Sequence, residues 1–143
     1  MADELKKTYL ALLVPAIVAL LLACGARWMG LIPHYPDLPL GFIAPTVFVL
    51  AVVLAVAAPI FIRSLFAHRM RNHKSVPRPA WMQFERRLIL VSLMAPFLVT
   101  VAVLFDFPDF YFVGVVLMAL YAAYYFYPSQ KRIRFERRIF RVK

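Results

Sequence analysis

Few residues in this chain have the types and spacing to do chemistry, and the most ordered of them recur. "PRPAWMQFERRLILV" begins at Pro77 and "PSQKRIRFERRIFRV" begins at Pro128; each runs Pro, six residues, FERR, an aliphatic residue, two more residues and Val. The Arg pairs, Arg86/Arg87 and Arg137/Arg138, suit phosphate or carboxylate groups, because a guanidinium presents a planar fork of donors that matches two acceptor oxygens. Together with Lys131, Arg134 and Arg141 they are the candidate residues for binding an anionic lipid or an acidic partner. The echo is four letters deep in an Arg-rich chain, and the flanking apolar blocks do not repeat.

Catalysis is harder to find. An enzyme acting on a lipid head group or quinone beside those Arg clamps would have only Glu85, Glu136, His68 and His73 as acids or bases. No nucleophile and base are paired, and four scattered glycines make no phosphate loop. His68 and His73 are five apart, so they do not share a helix face, and no Cys joins them for zinc. His34 lies in a different loop. In "DFPDF", Asp106 and Asp109 read as a proline turn with Asp109 capping the next helix. Cys24 is the only cysteine, which rules out an intramolecular disulfide; it is expected to be a small buried hydrophobe. No catalytic residue, metal site or cofactor is expected.

The elements that must position these groups are apolar. The 143 residues are 64% hydrophobic and 17% charged, with a mean hydropathy of +0.76, well outside the range of a soluble domain. The excess forms four blocks, from about Tyr9 to Met29, Phe42 to Phe66, Leu88 to Phe105 and Phe110 to Tyr127. Each is near the length a helix needs to cross a hydrocarbon core. Unpaired backbone groups are not tolerated in lipid, so blocks of this kind must be helical. The predicted fold is an all-α integral membrane protein, one domain built as an antiparallel four-helix bundle. The first block is read as a retained span and not a cleaved signal peptide, because Asp3 and Glu4 precede it and it is long for that role.

Charge orients the prediction. Of seventeen Lys and Arg, sixteen fall before the first block, around the connection between the second and third (counting Arg63 near the end of the second), or in the tail; Arg27 alone is on the other side. By the positive-inside rule both termini are cytoplasmic, with a basic loop over 67–87 and a basic tail over 128–143. This asymmetry accounts for the net charge of +10 and leaves nucleic acid without a part. A bacterial inner membrane is the expected location.

Finer features follow. With Ser129 as N-cap, the tail forms a helix that puts Lys131, Arg134, Arg137, Arg138 and Arg141 on one arc, suited to an anionic leaflet. Its apolar arc is interrupted by Arg132 and Glu136. Arg27 and Arg63 are near block ends, where long side chains snorkel. Phe110, Tyr111 and Phe112 open the last block and Tyr121, Tyr124, Tyr125, Phe126 and Tyr127 close it, as interfacial belts do. Among Pro15, Pro45, Pro59 and Pro96, Pro59 is the expected bend. Ala19/Ala23 and Ala51/Ala55 mark possible helix contacts. The loop around His34, Tyr35 and Pro36 is a possible docking surface.

These features favour a non-catalytic accessory or scaffold subunit that packs against other membrane helices or against copies of itself. Its basic face would meet anionic lipid or an acidic partner. The alternatives are a small transporter subunit or homo-oligomeric carrier of an apolar or lipidic substrate, and the interfacial enzyme considered above.

Overall fold

The computed structural model describes residues 2–33 and 37–142, so Met1, His34, Tyr35, Pro36 and Lys143 lie outside the described residues. Helix α1 spans Ala2–Trp28, α2 Leu40–Val52, α3 Ala58–Met70, α4 Arg78–Ser92, α5 Ala95–Leu104, α6 Asp109–Tyr125 and α7 Gln130–Ile139. No strand occurs among the described residues; the nearest approach to one is a single bridge between Val76 and Val142. Three continuous helical stretches are long and apolar enough to cross a membrane: Asp3–Trp28, Leu40–Met70 and Arg78–Leu104. The 17-residue α6 is followed by α7 at a 75° bend, so a fourth crossing depends on how that bent pair is read.

The second stretch is unbroken but not uniform. A π-helical turn, Val53–Ala57, joins α2 to α3 just before Pro59. Proline has no N–H to donate and its ring crowds the carbonyl four residues back, and the wider turn accommodates both. Pro96 is likewise placed in the first turn of α5, after the break at Leu93 and Met94. Pro15 and Pro45 lie within α1 and α2. The third helix starts well before its apolar block, at Arg78, so the non-helical connection from α3 covers only 71–77.

Small residues decide where helices touch. Ala16 and Ala23 on α1, Ala44 and Ala51 on α2, and Ala95 and Ala102 on α5 are buried, each pair seven residues apart and therefore on one face. Alanine lets backbones approach closely, which matters where lipid supplies no hydrophobic drive between helices. By these faces α1 packs on α5, α5 on α6, and α2 on α6. The expected contact residues Ala51, Ala55 and Ala23 are among them. Cys24, next to Ala23, is on the opposite side and exposed; it is not the buried hydrophobe anticipated, because the contact face of α1 is already filled by alanine. The outward faces are apolar, with Leu21, Leu22, Phe61 and Leu117 exposed.

Three helix ends use the same device. Gly30, Asp106 and Arg141 each have a positive φ, of 69°, 52° and 48°, directly past α1, α5 and α7. In each case the next residue donates its N–H five residues back: Leu31 to Ala26, Phe107 to Ala102 and Val142 to Arg137. These Schellman closures satisfy carbonyls that the helix itself leaves unpaired.

Candidate functional site

Charge separates along the molecule. Loop 71–77, the start of α1 and the tail share one end: Glu4 pairs with Arg86, the Tyr9 and Tyr127 rings are 5.5 Å apart, and Val76 bridges Val142. Arg27 and Asp106 lie at the opposite end and pair at 2.6 Å.

At the basic end, four ionisable side chains from three helices converge. Arg132 reaches Glu136 on its own helix with Nε at 3.1 Å and Glu85 on α4 with Nη2 at 3.3 Å. Arg63 of α3 pairs with the same oxygen of Glu136. Glu85 and Glu136 are 2% and 5% exposed, so each carboxylate depends on these cations in place of water. Local sequence places the pieces: Ser129 is the N-cap of α7, its Oγ accepting from Arg132 N at 3.2 Å, and one turn later Glu136 falls on the Arg132 face. Ile133, between them on that face, is buried.

The cluster also finishes a helix. The last four carbonyls of α6 belong to Ala122, Ala123, Tyr124 and Tyr125. Phe126 N donates to Ala122 and Tyr127 N to Tyr124. Tyr9 Oη donates to Ala123 at 2.6 Å, and Arg132 Nη1 donates to Tyr125 at 3.2 Å. All four are satisfied, two of them by side chains from outside the helix. The Arg132 guanidinium lies over the Phe126 ring at 5.3 Å and the Tyr125 ring at 5.9 Å, and Arg63 is also 5.9 Å from Tyr125. A cation at a helix C-terminus is favoured by the macrodipole as well.

Arg27 performs the corresponding task at the other end. Its Nη1 donates to Val103 O at 3.0 Å and to Leu104 O at 3.3 Å, closing α5. This gives a physical reason for the one cation that breaks the charge asymmetry. Asp109 differs from expectation: Pro108 is the N-cap of α6 and makes no side-chain cap hydrogen bond, while Asp109 sits in the first turn, where its charge complements the dipole.

The anticipated binding residues are all at the surface of the basic end. Arg86, Arg87, Lys131, Arg134, Arg137, Arg138 and Arg141 are exposed, and Arg86 is partly engaged by Glu4 at 3.2 Å. The two FERR segments do meet, but through their glutamates; the Arg pairs point outward. His68 and His73 are exposed, and the described residues contain no group of His, Cys, Asp and Glu that could hold a metal. Sequence reasoning treated Arg132 and Glu136 as flaws in an amphipathic pattern and Arg63 as a snorkelling cation. The signal available was that Glu85 and Glu136 are acidic residues set inside basic strips. No family model, curated protein or solved structure matches the chain.

Proposed function

We propose that this chain is a non-catalytic integral membrane protein of four spans, an accessory or scaffold subunit with both termini in the cytoplasm of a bacterium's inner membrane. In this reading it packs against other membrane helices, or copies of itself, through its apolar faces. Its exposed cations meet anionic lipid or an acidic partner.

One observation carries the reading. The ionisable groups in the interior, Glu85, Glu136, Arg132 and Arg63, pair with one another and with a helix end, although Glu85 Oε1 and Arg63 Nε have no hydrogen-bond partner among the described residues. A transporter or proton relay would keep such a group available at depth, and an acid–base enzyme would present one to substrate. The exposed Lys and Arg among the described residues are instead all collected at one end, as a helical protein held on an anionic leaflet requires. Tyr121 and Tyr124, both exposed at the end of α6, support an interfacial level there.

A carrier of a lipidic substrate is the second reading, favoured by a cavity between α3 and α4 that begins one turn beyond Pro59 at Ile62. Native mass spectrometry of the protein gently extracted from its own membrane separates the two. A second polypeptide at fixed stoichiometry is the expected result. A bare homo-oligomer with a defined small molecule would replace the accessory role with the carrier.

A further inference from the structure

The cavity between α3 and α4 has a volume of about 500 Å³, within the range of small-molecule sites. Helical spacing makes it amphipathic along its length. Ile62, Leu65 and Phe66 on α3 are followed one turn later by Arg69, and on α4 Arg87 is followed one turn later by Leu90 and Val91. Phe66 and Phe84, stacked at 4.1 Å, line it as well. Leu65 and Leu90 are 47% and 48% exposed beside it, so it opens onto the apolar surface and not into the protein interior.

Its two cations lack internal counter-ions. Arg27, Arg63, Arg86 and Arg132 each have a carboxylate partner; Arg69 and Arg87 have none among the described residues. Of the seven acidic residues, Glu4, Glu85 and Glu136 are already engaged at this end, Asp3 is exposed in the first turn of α1 and does not line the groove, and Asp37, Asp106 and Asp109 belong to the opposite end. No carboxylate among the described residues lines this groove, so its charge calls for a counter-ion from outside. A ligand with an anionic head and an apolar tail fits this wall order.

We propose that the α3–α4 groove holds one anionic glycerophospholipid of the surrounding bilayer, with its phosphate at Arg69 and Arg87 and an acyl chain along Ile62, Leu65 and Leu90. The proposal rests on the membrane reading above and gives the lipid-binding role a site, which includes Arg69 and differs from the open basic surface of the tail. Guanidinium–phosphate contacts of this kind are charge-assisted and bidentate.

The test offers detergent-purified protein equal amounts of phosphatidylglycerol and phosphatidylcholine with identical acyl chains and reads bound lipid by native mass spectrometry. The expected result is one retained phosphatidylglycerol, preferred over phosphatidylcholine by about tenfold or more, since both lipids offer the same phosphate but choline adds a cation that is repelled by Arg69 and Arg87. The double variant R69Q/R87Q loses the preference. A80W, which fills the groove without altering charge, lowers retention, and the tail variant R134Q/R137Q/R138Q keeps it. Equal retention of the two lipids by the wild type overturns the proposal. So does a preference that survives R69Q/R87Q, or one lost only in the tail variant. If R69Q/R87Q does not fold, A80W decides alone. The same spectra separate this proposal from the accessory role: a co-purified subunit without lipid preference sinks only the groove, and retained lipid without a subunit sinks only the accessory role.

Discussion

Arg132 of α7 lies 3.3 Å from Glu85 of α4, and this contact ties the basic tail to the helical body across 47 positions of sequence. The same guanidinium serves Glu136 and the Tyr125 carbonyl, so a single side chain fixes the bend after α6, the docking of α7 and the end of α6.

Arg132→Ala therefore strands a buried carboxylate. Removing one partner of a buried ion pair costs on the order of 3–5 kcal/mol, and the variant is expected to show a clear drop in melting temperature in detergent, with faster tryptic cleavage of the tail. Arg132→Lys should recover little, because an ammonium cannot reach three acceptors in fixed directions. A wild-type melting temperature for R132A would show that the cluster does not hold α7.

At the other end, magnitudes rank two substitutions. Asp106 is 55% exposed at its side chain, and a surface ion pair contributes about 0–1 kcal/mol. Its positive φ of 52° is a conformation glycine adopts without strain, so Asp106→Gly is expected to be nearly neutral. Arg27→Ala removes the donor to Val103 and Leu104, and leaving partly buried acceptors unpaired costs about 1–3 kcal/mol. Thermal unfolding of both variants should place R27A well below D106G; equal melting temperatures would assign Arg27 to the ion pair alone.

Close packing of α2 on α6 depends on one missing side chain. A Cβ at Gly114 would come within 2.5 Å of the Phe48 ring, too close without movement. Gly114→Ala is expected to destabilise by about 1–3 kcal/mol, as overpacking does. Phe48→Leu, by clearing the ring, should restore most of that loss in the double variant. Additive effects in the double-mutant cycle would show that the two sites do not touch.

Sidedness is checked with the single cysteine removed. In a Cys24→Ser background, Lys74→Cys and Arg138→Cys are expected to react with a membrane-impermeant maleimide only in inverted vesicles, and Asp109→Cys only in intact cells. Labelling of Asp109→Cys and Arg138→Cys from the same side would rule out the four-span arrangement.

Much of the fold was legible in the sequence, and for local reasons. Apolar blocks of this length in Leu, Val and Ala are helical wherever lipid or close packing excludes water, and the cations sort to one end because each is costly in an apolar belt. The Ser129 cap, the π-helical turn before Pro59 and the alanine faces are likewise short-range effects of side-chain type and spacing. The ion cluster was decided by tertiary structure alone. Glu136 meets Arg63 from 73 positions away and Glu85 meets Arg132 from 47, and periodicity assigns a residue to a face without saying which helix that face will meet. For that reason Arg132 and Glu136 look like faults in an amphipathic strip until α7 folds back on α4. Only that packing shows that the residues spoiling the pattern hold the tail in place, while the conspicuous Arg pairs stay at the surface.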